Sequence, residues 1–229
     1  MKKKAYLFDM DGVLVNNCHA HVLAWLEFAK RHGGHLTEAE VITWMGAPAR
    51  DYLARMFDAP LSEAQIAAFV QEKEALYREI YRPNLAPSDG LLPFLRQAKA
   101  DGIACAITTG GSIDNVNFVI DGLGIRNFFM RIVDASQYEH GKPAPDCYLR
   151  AAAALGVAPA DCRVFEDAVN GIEAAQAAGM EVYALVGTNP REVLAAAHPT
   201  RIFTSFAELR PRGLSSARRG RRRRRTSPA

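Results

Sequence analysis

The stretch Tyr6-Leu7-Phe8-Asp9-Met10-Asp11-Gly12-Val13-Leu14 sets a short apolar run directly against two carboxylates, with a glycine next that lets the backbone turn sharply. The run Ala5 to Phe8 reads as a buried strand with Asp9 at its end. In an open α/β sheet, ligands bind at the carboxyl ends of the strands, so acids placed there stand at a site rather than in a core.

Working outward, Ile103 to Thr108, Arg131 to Val133, Arg163 to Phe165, Val182 to Val186 and Ile202 to Phe203 are further strand candidates, separated by segments of helical period. That alternation predicts a parallel α/β sheet. Between the first two runs lies a long stretch that reads almost wholly helical, more than one crossover needs. An inserted helical domain is therefore expected. Thr37-Glu38-Ala39-Glu40 and Ser62-Glu63-Ala64-Gln65 fit the capping box, and Gly33-Gly34 ends the helix before them. Ile66, Phe69, Val70, Lys73, Leu76 and Ile80 form one helical stripe, read as bundle core with Lys73 as its polar break. Connections back to the sheet are expected near Asn16 to His21 and Pro83 to Asp89. The Ala-rich segments Ala151 to Leu155 and Ala174 to Ala178 suit close packing of helices on the sheet.

The chain has 229 residues, 49% hydrophobic and 23% charged, enough to bury a real core and outside the disordered and collagen-like classes. Nine of its 28 Lys and Arg lie between Arg210 and Arg225; without them 19 basic residues face 25 acidic ones, and residues 1–209 carry −6. The Arg-rich tail, 210–229, is expected to be disordered and outside the fold. Nine cations could bind polyphosphates, but the acidic body and the lack of interleaved aromatics argue against a nucleic-acid partner. Cys18, Cys105, Cys147 and Cys162 form no C-x-x-C pair and read as reduced structural thiols. The apolar run after Lys2 to Lys4 is too short for a signal segment, and no stretch is long enough to span a membrane. The expectation is a cytoplasmic protein, monomer or weak dimer.

A second acidic pair, Glu166-Asp167, follows the run Arg163 to Phe165. Bringing several carboxylates together costs Coulomb energy unless a cation neutralises them, and oxygen-only ligation specifies Mg²⁺. Phosphoryl transfer fits, with one carboxylate attacking phosphorus. Thr108 opens the loop Thr109-Gly110-Gly111-Ser112, which offers a hydroxyl and free amides to phosphate oxygens, and Lys142 in Gly141-Lys142-Pro143-Ala144-Pro145-Asp146 supplies a cation. Taken singly, each stretch also reads as a turn or a solvated helix start.

Together, in this order, these four segments resemble the haloacid dehalogenase superfamily, in its branch of β-phosphoglucomutase-like and phosphoglycolate-phosphatase-like enzymes, over residues 5 to about 206. The resemblance implies an α/β fold, a Rossmann-like parallel sheet core (1–16 and 88–209) with an inserted four-helix cap (17–87). It implies Asp9 as nucleophile and Asp11 as general acid and base, with Thr108 and Lys142 on the transferring phosphoryl oxygens. Mg²⁺ would be held by Asp9, the Asp11 backbone carbonyl and Asp167, with Glu166 direct or through water. The substrate expected is a small phosphorylated metabolite, bound by Thr109, Gly110, His21 and Arg50, with Trp25, for which packing is the better reading, and more distantly Lys73 and Arg78. A phosphatase is expected first and a sugar-phosphate mutase second. Asn16 replaces an aspartate common in relatives, and Trp44-Met45-Gly46 lacks the lysine that mutases carry.

Overall fold

The computed structural model describes residues 4–44, 49–57 and 60–209. Met45, Gly46 and the Arg-rich tail from Arg210 onward lie outside the described residues. In chain order the elements are β1 (Ala5–Phe8), α1 (Cys18–Arg31), α2 (Glu38–Thr43), α3 (Ala49–Met56), α4 (Glu63–Tyr81), α5 (Leu91–Ala100), β2 (Ala104–Thr108) and α6 (Ile113–Gly122). There follow β3 (Arg131–Val133), α7 (Asp146–Leu155), β4 (Cys162–Glu166), α8 (Val169–Ala177), β5 (Glu181–Leu185), α9 (Arg191–Ala196) and β6 (Arg201–Phe203).

The strands form one parallel sheet in the order β3-β2-β1-β4-β5-β6. Each short apolar run of the sequence is a strand, within a residue or two at its ends. Because side chains alternate along a strand, Leu7 and Phe8 face opposite sides of the sheet and belong to different cores. On Leu7's side the small residues Ala151, Ala152, Ala174 and Ala175 of α7 and α8 pack closely on Val164 and Val182. On the other side Phe8 stacks on Phe165 at 4.8 Å between ring centroids, with Phe94 and Phe206 around them. Burying each such ring fully is worth about 1.5–3 kcal/mol.

Both capping boxes are present: Thr37 and Ser62 each accept the amide three residues on, and Glu40 and Gln65 reach back. The stripe on α4 faces inward as its period predicts, and Lys73 is buried within it. Helix α1 already begins at Cys18, so the entry connection is shorter than Asn16 to His21. Entry and exit of the helical segment lie side by side, since Val15 pairs with Pro87 and the Ser88 amide donates to the Leu14 carbonyl at 2.9 Å. Cys105, Cys147 and Cys162 are buried. Among the described residues no helix is long and apolar enough to cross a membrane.

Candidate active site

The strand order reverses at β1, whose neighbours are β2 and β4. Such a switch point opens a crevice at the carboxyl ends. Register decides what lines it: Phe8 pairs with Ile107 on one side and Phe165 on the other, so the next residues, Thr108, Asp9 and Glu166, stand level. The Asp9 amide donates to the Phe165 carbonyl at 3.0 Å and Thr108 Oγ1 to the Phe8 carbonyl at 3.3 Å, which fixes the two strand ends.

Lys142, from the loop before α7, reaches into this row and donates to Asp9 Oδ1 and Glu166 Oε1, each at 2.5 Å. Glu166 is held from every side: Tyr148 Oη donates to Oε1 at 2.7 Å, and the amides of Asp167 and Ala168 donate to Oε2 at 2.9 and 3.1 Å. Its carboxylate rests on Gly171 of α8, where a Cβ would lie 1.9 Å from Oε1. Asp167 accepts from Thr188 Oγ1, and Asn189 Nδ2 donates to its carbonyl at 3.0 Å. Gly12, at φ +77°, lets the Asp11 turn press against the same carboxylate, 1.9 Å from where its Cβ would be.

Electrostatically the cluster is short of positive charge. Burial pushes Asp9 up, the charges of Glu166 and Asp11 add to this, and Lys142 opposes it; the outcome is a carboxyl at about 7. Asp167 is driven well above the ordinary range by burial and by the charges of Glu166 and Asp9. For Glu166 burial pulls the same way, but Lys142, Tyr148 and the Asp167 amide outweigh it and the carboxyl sits low. Two acids thus resist ionisation beside a third that is fully charged, the situation a hard cation relieves. Among the described residues no three His, Cys, Asp or Glu side chains are arranged to chelate an ion by themselves. Oxygen donors from Asp9, Asp167 and the main chain nonetheless suit such an ion.

Asp11 belongs to a different neighbourhood. Burial raises it, yet the His21 ring, Asn17 and Lys73 more than offset that and hold it low. Asn17 Nδ2 donates to Asp11 Oδ1 at 2.6 Å, and its Oδ1 accepts the Gly12 amide at 3.2 Å. His21 Nε2 lies 3.8 Å from Asp11 Oδ1, past hydrogen-bond range, buried and without a hydrogen-bond partner.

The structure therefore brings together Asp9, Lys142, Glu166 and Asp167, with Thr108 level beside them and Asp11 and His21 next to them. Thr109 is buried, its hydroxyl accepting the Gly111 amide at 3.0 Å and its carbonyl the Tyr138 hydroxyl at 3.0 Å, while Gly110 is exposed. Arg50 stands apart. It is exposed, and Glu63 takes both ends of its guanidinium at 2.9 and 2.6 Å. Trp25 packs as expected, stacked on Tyr52 at 4.4 Å. Lys73 and Arg78 are engaged with protein groups, Lys73 with His21 and Glu74, Arg78 with Asn115. Sequence reading did not single out Asn17, Tyr148, Thr188 or Asn189. Asn17 is separated from Asp11 by a turn, and the other three follow no motif.

Residues 3–179 match the haloacid dehalogenase-like hydrolase family. The chain is 36% identical to hexitol phosphatase A of Escherichia coli over 187 residues, which is 81% of this chain and 84% of that protein. It is 32% identical to the β-phosphoglucomutase of Bacillus subtilis, covering 77% and 80% of the two chains. A HAD hydrolase structure from Entamoeba histolytica superposes with a TM-score of 0.83 at 29% identity, over 91% of this chain and 95% of that one. With the parallel sheet, its strand-end acids and the bridging lysine already in view, this chain belongs to the haloacid dehalogenase-like hydrolases and is an enzyme.

Proposed function

We propose that the protein is a phosphatase for a small phosphorylated polyol or sugar, working through an aspartyl-phosphate on Asp9. The observation that carries the reading is the row Asp9, Lys142 and Glu166 at the ends of β1 and β4, where one cation is 2.5 Å from two carboxylates. A lysine so held neutralises the approach of a phosphate dianion to an anionic nucleophile, which would otherwise repel it.

Asp9 attacks phosphorus and the bond to the leaving oxygen breaks. Asp11 acts in its protonated form, giving that oxygen its proton, and as the carboxylate so formed takes one from the water that cleaves the aspartyl-phosphate. Thr108 and the Gly110 and Ser112 amides hold phosphoryl oxygens, since the Thr109 amide donates to the Val133 carbonyl and the Gly111 amide to Thr109 Oγ1. Helices α1 to α4 act as the cap, excluding water and contacting the leaving group. Asp9, the Asp11 carbonyl and Asp167 would hold Mg²⁺, which when bound would supply positive charge beyond that of Lys142. The substrate class follows the name of the hexitol phosphatase relative.

Phosphate release from hexitol phosphates and hexose phosphates, with and without Mg²⁺, tests the reading. Metal-dependent release that Asp9→Asn abolishes supports it; undiminished release by that variant overturns it. The likeness to β-phosphoglucomutase keeps a mutase in view. Isomerisation of β-glucose 1-phosphate to the 6-phosphate, primed by the bisphosphate, in place of phosphate release would establish that alternative.

A further inference from the structure

One polar line leaves the site and crosses between α4 and α6. Asn115, buried in the first turn of α6, gives both ends of its amide to α4: Nδ2 donates to Glu74 Oε2 at 2.6 Å and Oδ1 accepts from Arg78 Nη1 at 2.7 Å. Glu74 and Arg78 are four residues apart and share a helix face. The second oxygen of Glu74 accepts from Lys73 Nζ at 2.8 Å, and Lys73 Nζ lies 3.0 Å from His21 Nδ1. The other ring nitrogen, Nε2, is on the side of Asp11. The ring is fixed in plane by stacking on Tyr77 at 3.8 Å, and the Tyr77 hydroxyl accepts from Asn17. Tyr77 in turn meets Phe118 of α6 edge-on at 6.1 Å.

We infer that Asn115 is a positioning residue for turnover: by clasping Glu74 and Arg78 it seats α4 on α6 in one register, and that register aligns Lys73 and His21 behind Asp11. The inference rests on the phosphatase reading and deepens it. Directional hydrogen bonds are what such a task needs, because an apolar contact between the helices would tolerate sliding. Asn115 also follows the loop of Thr109 to Ser112, so the clasp ties the helix bearing Lys73 to the segment expected to hold phosphate.

Two esters separate positioning from mere structure. Fructose 1-phosphate leaves as an alkoxide and needs the proton of Asp11, whereas p-nitrophenyl phosphate leaves as a stable phenolate and does not. Proton transfer contributes about 10²–10⁴-fold, so Asn115→Ala is expected to lower the ratio of kcat on the first ester to kcat on the second by about tenfold or more. Asn115→Asp combined with Glu74→Gln reverses donor and acceptor across the same contact and is expected to restore the ratio. If Asn115→Ala does not fold, as judged by its melting curve, Arg78→Ala at a half-buried position carries the same expectation. Equal loss on both esters, no loss on either, or failure of the reversed pair to recover the ratio would overturn the positioning role while leaving the phosphatase reading intact. If the unaltered enzyme released phosphate from neither ester, that reading would fall, and this role with it.

Discussion

Gly12→Ala is the perturbation for which the structure supplies most of the numbers. At φ +77° an alanine costs about 1–2 kcal/mol of backbone strain. Its Cβ would stand 1.9 Å from Asp167 Oδ2 and 2.5 Å from Thr188 Oγ1, both in a hydrogen-bonded pair with no free space. Restoring an ordinary contact of about 3.4 Å moves the carboxylate by about 1.5 Å. Misplacement by about 1 Å at a reacting centre costs on the order of 10²-fold, so kcat for phosphate release is expected to fall at least that far. Gly102→Ala separates the two causes: its φ is +69° and nothing lies within 4 Å of its Cβ. That variant keeps the strain without the collision. It is expected to melt a few degrees lower, at roughly 2–4 °C per kcal/mol for a chain of this size, with kcat unchanged. Thermal melts and phosphate release on both proteins decide the matter. If Gly12→Ala retained turnover, or lost no more than Gly102→Ala, the close approach of the Asp11 turn to Asp167 would not be what holds the site.

Asp9 and Asp167 are raised on folding, so the folded state holds their protons more tightly than the unfolded chain; the Asp9 contribution to stability falls as pH rises from about 4 through about 7, and Asp167 acts in the same direction. Glu166 and Asp11, held low, act in the opposite sense and lose stability only as pH drops below the carboxylate range. Melting of cation-free protein should therefore decline between pH 5 and pH 8, and Mg²⁺ at pH 8 should recover most of the loss; a flat profile without cation refutes this account of the charge. Asp9→Asn removes one of the repelling acids and is expected to abolish turnover while raising the cation-free melting temperature at pH 8. Lys142→Ala leaves Asp9 and Glu166 buried without their shared cation and should cost about 3–5 kcal/mol of stability in urea titration, along with turnover.

The strands were legible because each is a short apolar run closed by an acid, a threonine or a loop residue, and a parallel sheet buries both faces of such runs. Capping boxes were legible for a local reason: Thr37 with Glu40 and Ser62 with Gln65 satisfy amides within three residues. Asp9, Asp11, Glu166 and Asp167 stood out because strand ends are where the sheet exposes side chains to a crevice. The partners of those acids did not. Asn17 looked like one more polar residue in a connection, and Thr188 and Asn189 lie in a loop after β5 whose only signal is their distance in space from Asp167. Arg50 shows the converse failure: a cation near a loop invites a ligand role from sequence alone, and only the fold reveals Glu63 across from it.

Lys73 explains why the helical segment matters to chemistry at a strand end. In the sequence it interrupts an apolar stripe, and a lone lysine on a core face is ordinarily a defect costing several kcal/mol. Here its ammonium sits 5.2 Å over the Trp25 ring and contacts Glu74 and His21, so the desolvation is offset and its charge helps hold Asp11 low from behind His21. The partners of Asp9, Lys142 and Glu166, come from the sheet's own loop and strand, whereas His21 and Lys73 come from α1 and α4. Moving α4 would leave Asp9 as it is and deprive Asp11 of the cation that helps hold it low. A chain divided in this way can make proton transfer conditional on where its helices rest without moving the partners of Asp9, which is the behaviour that the comparison of alkyl and nitrophenyl esters is built to expose.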